Sequence, residues 1–195
     1  GVGGVKFRAS SNAYDEKGVA KKIWKGTITY PKPGGGDSTY QIEQEKFPAD
    51  KVFLIPNGID TDRFVFDLES RNRWRSELNI AADAPVVGIV AALRPEKNHT
   101  LFLQSAKRVV AQRPDARFIV AGDGPERSRL EAFSKTLRLE DNVLFVGSTH
   151  DIPGVLSAVD VFALTSHNEA SPVSIMESLA CERPVVATDV GSIDE

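Results

Sequence analysis

TSHNEASPVSIMESLACERP, residues 165–184, is the stretch on which the reading of this chain turns. It follows Val161-Phe162-Ala163-Leu164, an apolar run with the length and composition of a buried parallel strand. Ser171-Pro172 then marks a helix start, with Ser171 as N-cap and Pro172 in the first helical position, where a missing N–H costs nothing. The helix is expected over residues 172–181, with Val173, Met176, Leu179 and Ala180 at helical spacing as its buried stripe. Glu177 lies beside that stripe, and Glu169 sits just before the first turn. Two carboxylates therefore flank a helix N-terminus whose N–H groups and positive dipole end suit a phosphate. The combination reads as a site for a ligand that carries both phosphate and hydroxyls.

The same alternation of strand and helix runs back to Lys51. Strands are expected at residues 52–55, 85–93, 117–120, 142–146, 161–164 and 185–188, the second almost wholly apolar and so deep in a sheet. Between them lie a polar helix over 69–78 with Trp74 and Leu78 on one face, and a helix over 100–112 burying Phe102, Ala106, Val109 and Val110. Two more follow, over 125–137 and 152–159. This order predicts an α/β fold, a doubly wound parallel sheet covered on both faces. Ligands of such sheets bind at the carboxyl ends of the strands. The loops there are Arg94-Pro95-Glu96-Lys97-Asn98-His99, Gly122-Asp123-Gly124-Pro125 and Gly147-Ser148-Thr149-His150-Asp151. Asn57-Gly58, after the first strand, reads as a turn with positive φ.

Residues 1–48 read differently. They hold eight of the 15 glycines and the run Pro31-Lys32-Pro33-Gly34-Gly35-Gly36, a loop or linker between strand-like stretches at 23–30 and 40–47. Three readings stay open for this segment: a small β appendage, a divergent insertion, or a consequence of where the chain is cut. The domain division expected is thus residues 1–48 and 49–195.

With 41% hydrophobic and 26% charged residues the composition is that of an ordinary globular protein, and the net charge of −3 lacks the concentrated basic stripe of a nucleic-acid surface. No apolar run approaches a membrane span, and GVGGVKFRAS lacks the core of a signal peptide. The single Cys181 has no partner for an internal disulfide, and a reducing cytoplasm fits. His99, His150 and His167 lie on separate loops without paired-ligand spacing, so no metal site is expected. Gly122-Asp123-Gly124 lacks the third glycine of a dinucleotide fingerprint, and no nucleophile elbow or Ser-His-Asp order is present.

Four segments in register, IPNGIDTDRF at 55–64, AALRPEKNH at 91–99, AGDGPERSRLE at 121–131 and the Glu169–Glu177 stretch ending in ESLACERPVVATDVGSIDE, resemble glycosyltransferase family 4. These are retaining enzymes with two facing Rossmann-like domains, and the likeness covers roughly residues 49–195, the C-terminal, donor-binding half of a GT-B-type enzyme. The resemblance implies a nucleoside-diphosphate-sugar donor, no cofactor and no metal, and transfer to an acceptor hydroxyl on a glycan, lipid or small molecule held by an N-terminal domain. It implies a place in glycan or glycolipid synthesis and is compatible with peripheral membrane association. Since residues 1–48 do not resemble an acceptor domain, and a further strand and helices follow GSIDE in the family, the segment alone is expected to be an incomplete and inactive domain.

By the same resemblance Lys97 neutralises the donor diphosphate and Glu169 contacts the transferred sugar, steadying positive charge at its anomeric carbon. Glu177 accepts hydrogen bonds from the ribose. The arginine that partners the lysine in the family falls where this chain has Ala92, and Arg94 is the candidate substitute. Where the family often has Gly-Phe-Gly this chain has Ala170-Ser171-Pro172, leaving the amides of Ala170, Ser171 and Val173 as phosphate donors. Gly124 and His150 stand in the loops that read the base. Two other readings share the sequence: a binding module that keeps the fold without turnover, and an unrelated dinucleotide-binding α/β domain.

Overall fold

The computed structural model describes residues 57–191, together with the backbone pairing of residues 30–31 and 37–38. The chain forms two compact units, residues 1–59 and 60–195. In the first, β1 (Tyr30–Pro31) and β2 (Asp37–Ser38) form a short antiparallel ladder pairing Tyr30 with Ser38 and Pro31 with Asp37. Pro31, expected in a loop, is therefore a strand residue. The strand-like stretches at 23–29, 40–47 and 52–55 lie outside the described residues.

The second unit alternates as expected. In order it runs α1 (Leu68–Glu77), β3 (Val86–Val90), α2 (His99–Val110), β4 (Arg117–Ala121), α3 (Arg127–Thr136), β5 (Val143–Gly147), α4 (Ile152–Ala158), β6 (Val161–Leu164), α5 (Val173–Ala180) and β7 (Val185–Ala187). The strands form one parallel sheet in the order β5-β4-β3-β6-β7. From β3 the chain winds outward through β4 and β5, then returns to the other side of β3 as β6. This reversal is the topological switch point, where open sheets of this kind leave a crevice beyond their carboxyl ends.

The period of two along a strand shows why both faces are covered. In β4, Phe118 and Val120 face a core with Phe102, Leu103 and Ala106 of α2 and Leu130 of α3. Ile119 and Ala121, between them, face a second core with Val155 and Ala158 of α4 and Trp74 and Leu78 of α1. Gly88 of β3 is small because a Cβ there would lie 2.5 Å from Val159 Cγ1.

Several local expectations are corrected. Pro172, not Ser171, is the N-cap of α5, with extended backbone and no side-chain cap, so the helix begins one residue late. Its expected stripe is not buried: Val173 is 37% and Leu179 56% exposed, and Met176 and Ala180 are only half-buried. What α5 turns inward is Ser178, followed by the buried Cys181. The apolar spacing is real, but the helix lies at the rim of the described residues with little packed over it. Val109 of α2 is exposed for the same reason, beside an open apolar groove of about 310 Å³ lined by Leu101, Phe102, Ala163 and Val186. Gly58 lacks the expected positive φ; among the described residues the glycines that have it are Gly122, Gly124, Gly147 and Gly191.

Candidate functional site

β3 and β6 are neighbours at the switch point, and the loops leaving their carboxyl ends carry Lys97 and Glu169. Beyond β3 the chain makes a 3-10 turn, Pro95–Lys97, closed by Asn98 in the left-handed region (φ 47°). Asn98 is also the N-cap of α2, its side chain accepting from the Leu101 amide. Asn tolerates that backbone and supplies the acceptor, so one residue ends the turn and starts the helix. The loop after β6 is tied to this one through backbone groups. Thr165 Oγ1 lies 3.3 Å from the carbonyl of Lys97 and 3.1 Å from that of Asn98, and the His167 amide donates to the Glu96 carbonyl at 2.8 Å.

Across the two loops, Lys97 Nζ donates to Glu169 Oε1 at 2.6 Å. The same oxygen accepts from Ser166 Oγ at 2.6 Å, and Glu169 is only 7% exposed. Thr188, just after β7, holds Ser166 in turn by donating to its carbonyl at 2.6 Å. Gly191 presses against the Glu169 backbone: its φ is +66°, and a Cβ there would lie 1.7 Å from the Glu169 carbonyl oxygen. Only glycine combines that conformation with that approach.

Glu177 is half-buried on α5. Burial pushes its carboxyl above the ordinary carboxylate range, and the positive charge of Arg63 opposes the shift. Arg63 is exposed, donates to the His150 carbonyl at 3.2 Å and lies over the Phe64 ring. His150 follows β5, Gly124 follows β4, and both stand on the same sheet edge as Lys97 and Glu169. Gly124 packs tightly there, since a Cβ would come within 2.5 Å of the Leu93 carbonyl oxygen. Arg94 is exposed at the head of the 3-10 turn and makes no ion pair among the described residues. Ala92, where the family pattern places an arginine, accepts from the Arg94 amide at 2.8 Å. Ala170 and Ser171 are exposed ahead of Pro172, and Val173 opens α5.

The structure thus joins Lys97 to Glu169 directly and places Arg94, Gly124, His150, Ala170, Ser171, Val173 and Glu177 around the same strand ends. Arg63, Ser166 and Gly191 are additions. Ser166 carried a signal, a serine three residues before a glutamate, whereas Arg63 carried only its place in the 55–64 segment. Among the described residues no three His, Cys, Asp or Glu side chains converge as a metal set, and no helix is long and apolar enough to cross a membrane. The chemistry on hand is one cation paired to a buried carboxylate and a second, half-buried carboxylate whose proton affinity burial raises.

A parallel sheet wound to both sides of its first strand, with Lys97 and Glu169 paired at the switch point, defines a doubly wound α/β domain. The chain belongs to the group 1 glycosyl transferase family, whose profile matches residues 70–195. It is 30% identical over 143 residues to the UDP-Gal:alpha-D-GlcNAc-diphosphoundecaprenol alpha-1,3-galactosyltransferase of Escherichia coli, covering 72% of this chain and 37% of that protein. Among solved structures it is similar to HepE from Anabaena in complex with UDP and glucose, with a TM-score of 0.67 and 28% identity over 75% of this chain and 40% of that one. It is also similar to the C-terminal domain of a group 1 glycosyl transferase, LpcC from Francisella tularensis, with a TM-score of 0.62 and 25% identity over 71% of this chain and 74% of that domain. The chain therefore spans well under half the length of the full-length relatives and most of the isolated C-terminal domain.

Proposed function

We propose that this chain is the donor-binding half of a retaining glycosyltransferase, taking a nucleoside-diphosphate sugar and delivering the sugar to an acceptor hydroxyl in glycan or glycolipid synthesis. The observation that carries the reading is the meeting of Lys97 and Glu169 across the β3/β6 switch point, with Glu177 half-buried on the helix that follows. The UDP and glucose bound by HepE, and the UDP-galactose donor named for the Escherichia coli relative, support it.

In this reading the bond between the anomeric carbon and the diphosphate oxygen breaks with its electron pair staying on the diphosphate. Lys97, Arg94 and the amides at the start of α5 offset the charge that develops there, the largest contribution protein groups make to such a step. Glu169 holds sugar hydroxyls and steadies the positive anomeric carbon, while Glu177 accepts from the ribose. The acceptor hydroxyl attacks on the face the diphosphate leaves, and its proton passes to the departing diphosphate. A second domain supplies the acceptor, the step uses no metal or cofactor, and the protein works in the cytoplasm, at the membrane surface where the acceptor is a lipid.

The test gives Lys97 and Glu177 separate jobs. Glu177→Ala is expected to weaken a nucleoside diphosphate and its parent nucleoside alike, and Lys97→Ala to weaken the diphosphate only. A hydrogen bond to a charged group is worth about 1.5–3 kcal/mol, so each loss should be about ten- to a hundredfold. Calorimetric titration of both ligands, after a screen of UDP, GDP and ADP, reads this. Wild-type affinity for the diphosphate in both folded variants would end the assignment.

A further inference from the structure

The Lys97–Glu169 pair raises a problem for the function just proposed, because the cation assigned to the diphosphate is already occupied. Its Nζ lies 2.6 Å from a carboxylate that is itself assigned to the sugar. We propose that this pair is a resting lock: the incoming diphosphate takes Lys97 from Glu169, and only then is Glu169 released to the sugar. The inference rests on the donor-binding reading and adds to it a competition inside the site.

The geometry says which partner moves. Glu169 is held from three sides: its carboxylate by Ser166 Oγ, its neighbour Ser166 by Thr188, and its backbone by the close approach of Gly191. The two loops are fixed to each other by backbone groups at Lys97, Asn98 and Glu96, so their separation does not change readily. Lys97, by contrast, is 26% exposed on a four-carbon stem. A lysine ammonium is a point charge with rotatable donors, free to exchange one anion for another by torsions alone. After the exchange Ser166 still donates to Oε1, so the buried carboxylate keeps a hydrogen bond when it loses its cation. A nucleoside without phosphates offers Lys97 nothing and leaves the pair closed. The lock therefore makes phosphate arrival the condition for sugar engagement, and it sets a cost that a nucleoside diphosphate meets and a nucleoside never incurs.

The experiment is a double-mutant cycle read by calorimetry on the 195-residue chain, using whichever of UDP, GDP and ADP binds the wild type, and its parent nucleoside. Glu169→Gln removes the competing carboxylate without changing its size. It is expected to tighten the diphosphate about three- to tenfold, the worth of a partly exposed ion pair, and to leave the nucleoside unchanged. In a Lys97→Met background the same substitution is expected to change neither ligand. Unchanged or weaker diphosphate binding by folded Glu169→Gln overturns the lock. Equal tightening in the Lys97→Met background also overturns it, because the gain would then be relief of repulsion between carboxylate and phosphate. Should Glu169→Gln fail to fold, Glu169→Asp keeps the charge and draws it one methylene away from Lys97; it too should tighten the diphosphate, and no gain there overturns the proposal. A folded wild type that binds none of the three diphosphates removes the donor reading itself, and the lock with it.

Discussion

His99 opens α2 with its ring 2% exposed and neither ring nitrogen hydrogen-bonded among the described residues. Burial is the main cause, and the nearby charge of Lys97 a second, that its pKa is lowered to about 4; Glu126 opposes both. The sign follows from comparing folded and unfolded chains. Above pH 6.5 the imidazole is neutral in both, and its contribution to stability is complete. Between pH 6.5 and about 4 the unfolded chain takes up a proton that the folded chain refuses, so native stability falls. Over that window the loss is about 3 kcal/mol, at 1.36 kcal/mol per pKa unit. We expect His99→Leu to be less sensitive than the wild type by this amount when urea unfolding is compared at pH 7 and pH 4. Equal pH dependence in the two proteins would refute it. None of this is visible in the sequence, where a histidine between Asn98 and Thr100 reads as a loop residue whose only question is whether it binds a metal.

At the scale of elements, the strands are legible in the sequence and the helix faces only in part. Continuous apolar runs such as Val86–Val90 have one sensible home, buried on both sides of a sheet. In α1 the polar sequence suggests that Trp74 and Leu78 are its whole contribution, yet Arg75 is among its most buried residues. The Arg75 guanidinium donates to the carbonyls of Ala158, Ala82 and Ala84 and to Asp160 Oδ2, while Arg71 and the Val86 amide hold the same aspartate. Burial pushes the Asp160 carboxyl up, but the Arg71 hydrogen bond, the Val86 amide and the Arg75 charge outweigh it and hold it below the usual range. An arginine reads as exposed in any sequence pattern, because the carbonyls that justify burying it come from elsewhere in the chain. Arg75→Met should cost about 1–3 kcal/mol in chemical denaturation, since it takes the donor from the buried Ala84 carbonyl while Arg71 and the Val86 amide still hold Asp160. A loss under about 1 kcal/mol would show the network to be no better than a surface pair.

For the whole molecule, the shared edge of the candidate site is legible because its parts come from strand ends, and alternation alone says which loops share an edge. The identity of the contacts is not: the sequence puts Lys97 and Glu169 on one edge with separate tasks, and their pairing needs coordinates. The winding that sets β3 beside β6 also fixes when their strand ends can meet. β3 must wait for β6, some 70 residues away, while β4 follows it directly. Closing the longer loop costs more chain entropy, and contacts of long range generally form late. Amides in β3, β4 and β5 should therefore gain protection before those in β6 and β7 in pulse-labelled refolding, with nucleotide binding recovered only in the last phase. Binding recovered alongside the first protected strands would contradict that order. A chain paused partway along its folding route thus carries most of a sheet and none of a binding site, so ligand capture doubles as a readout of completed folding.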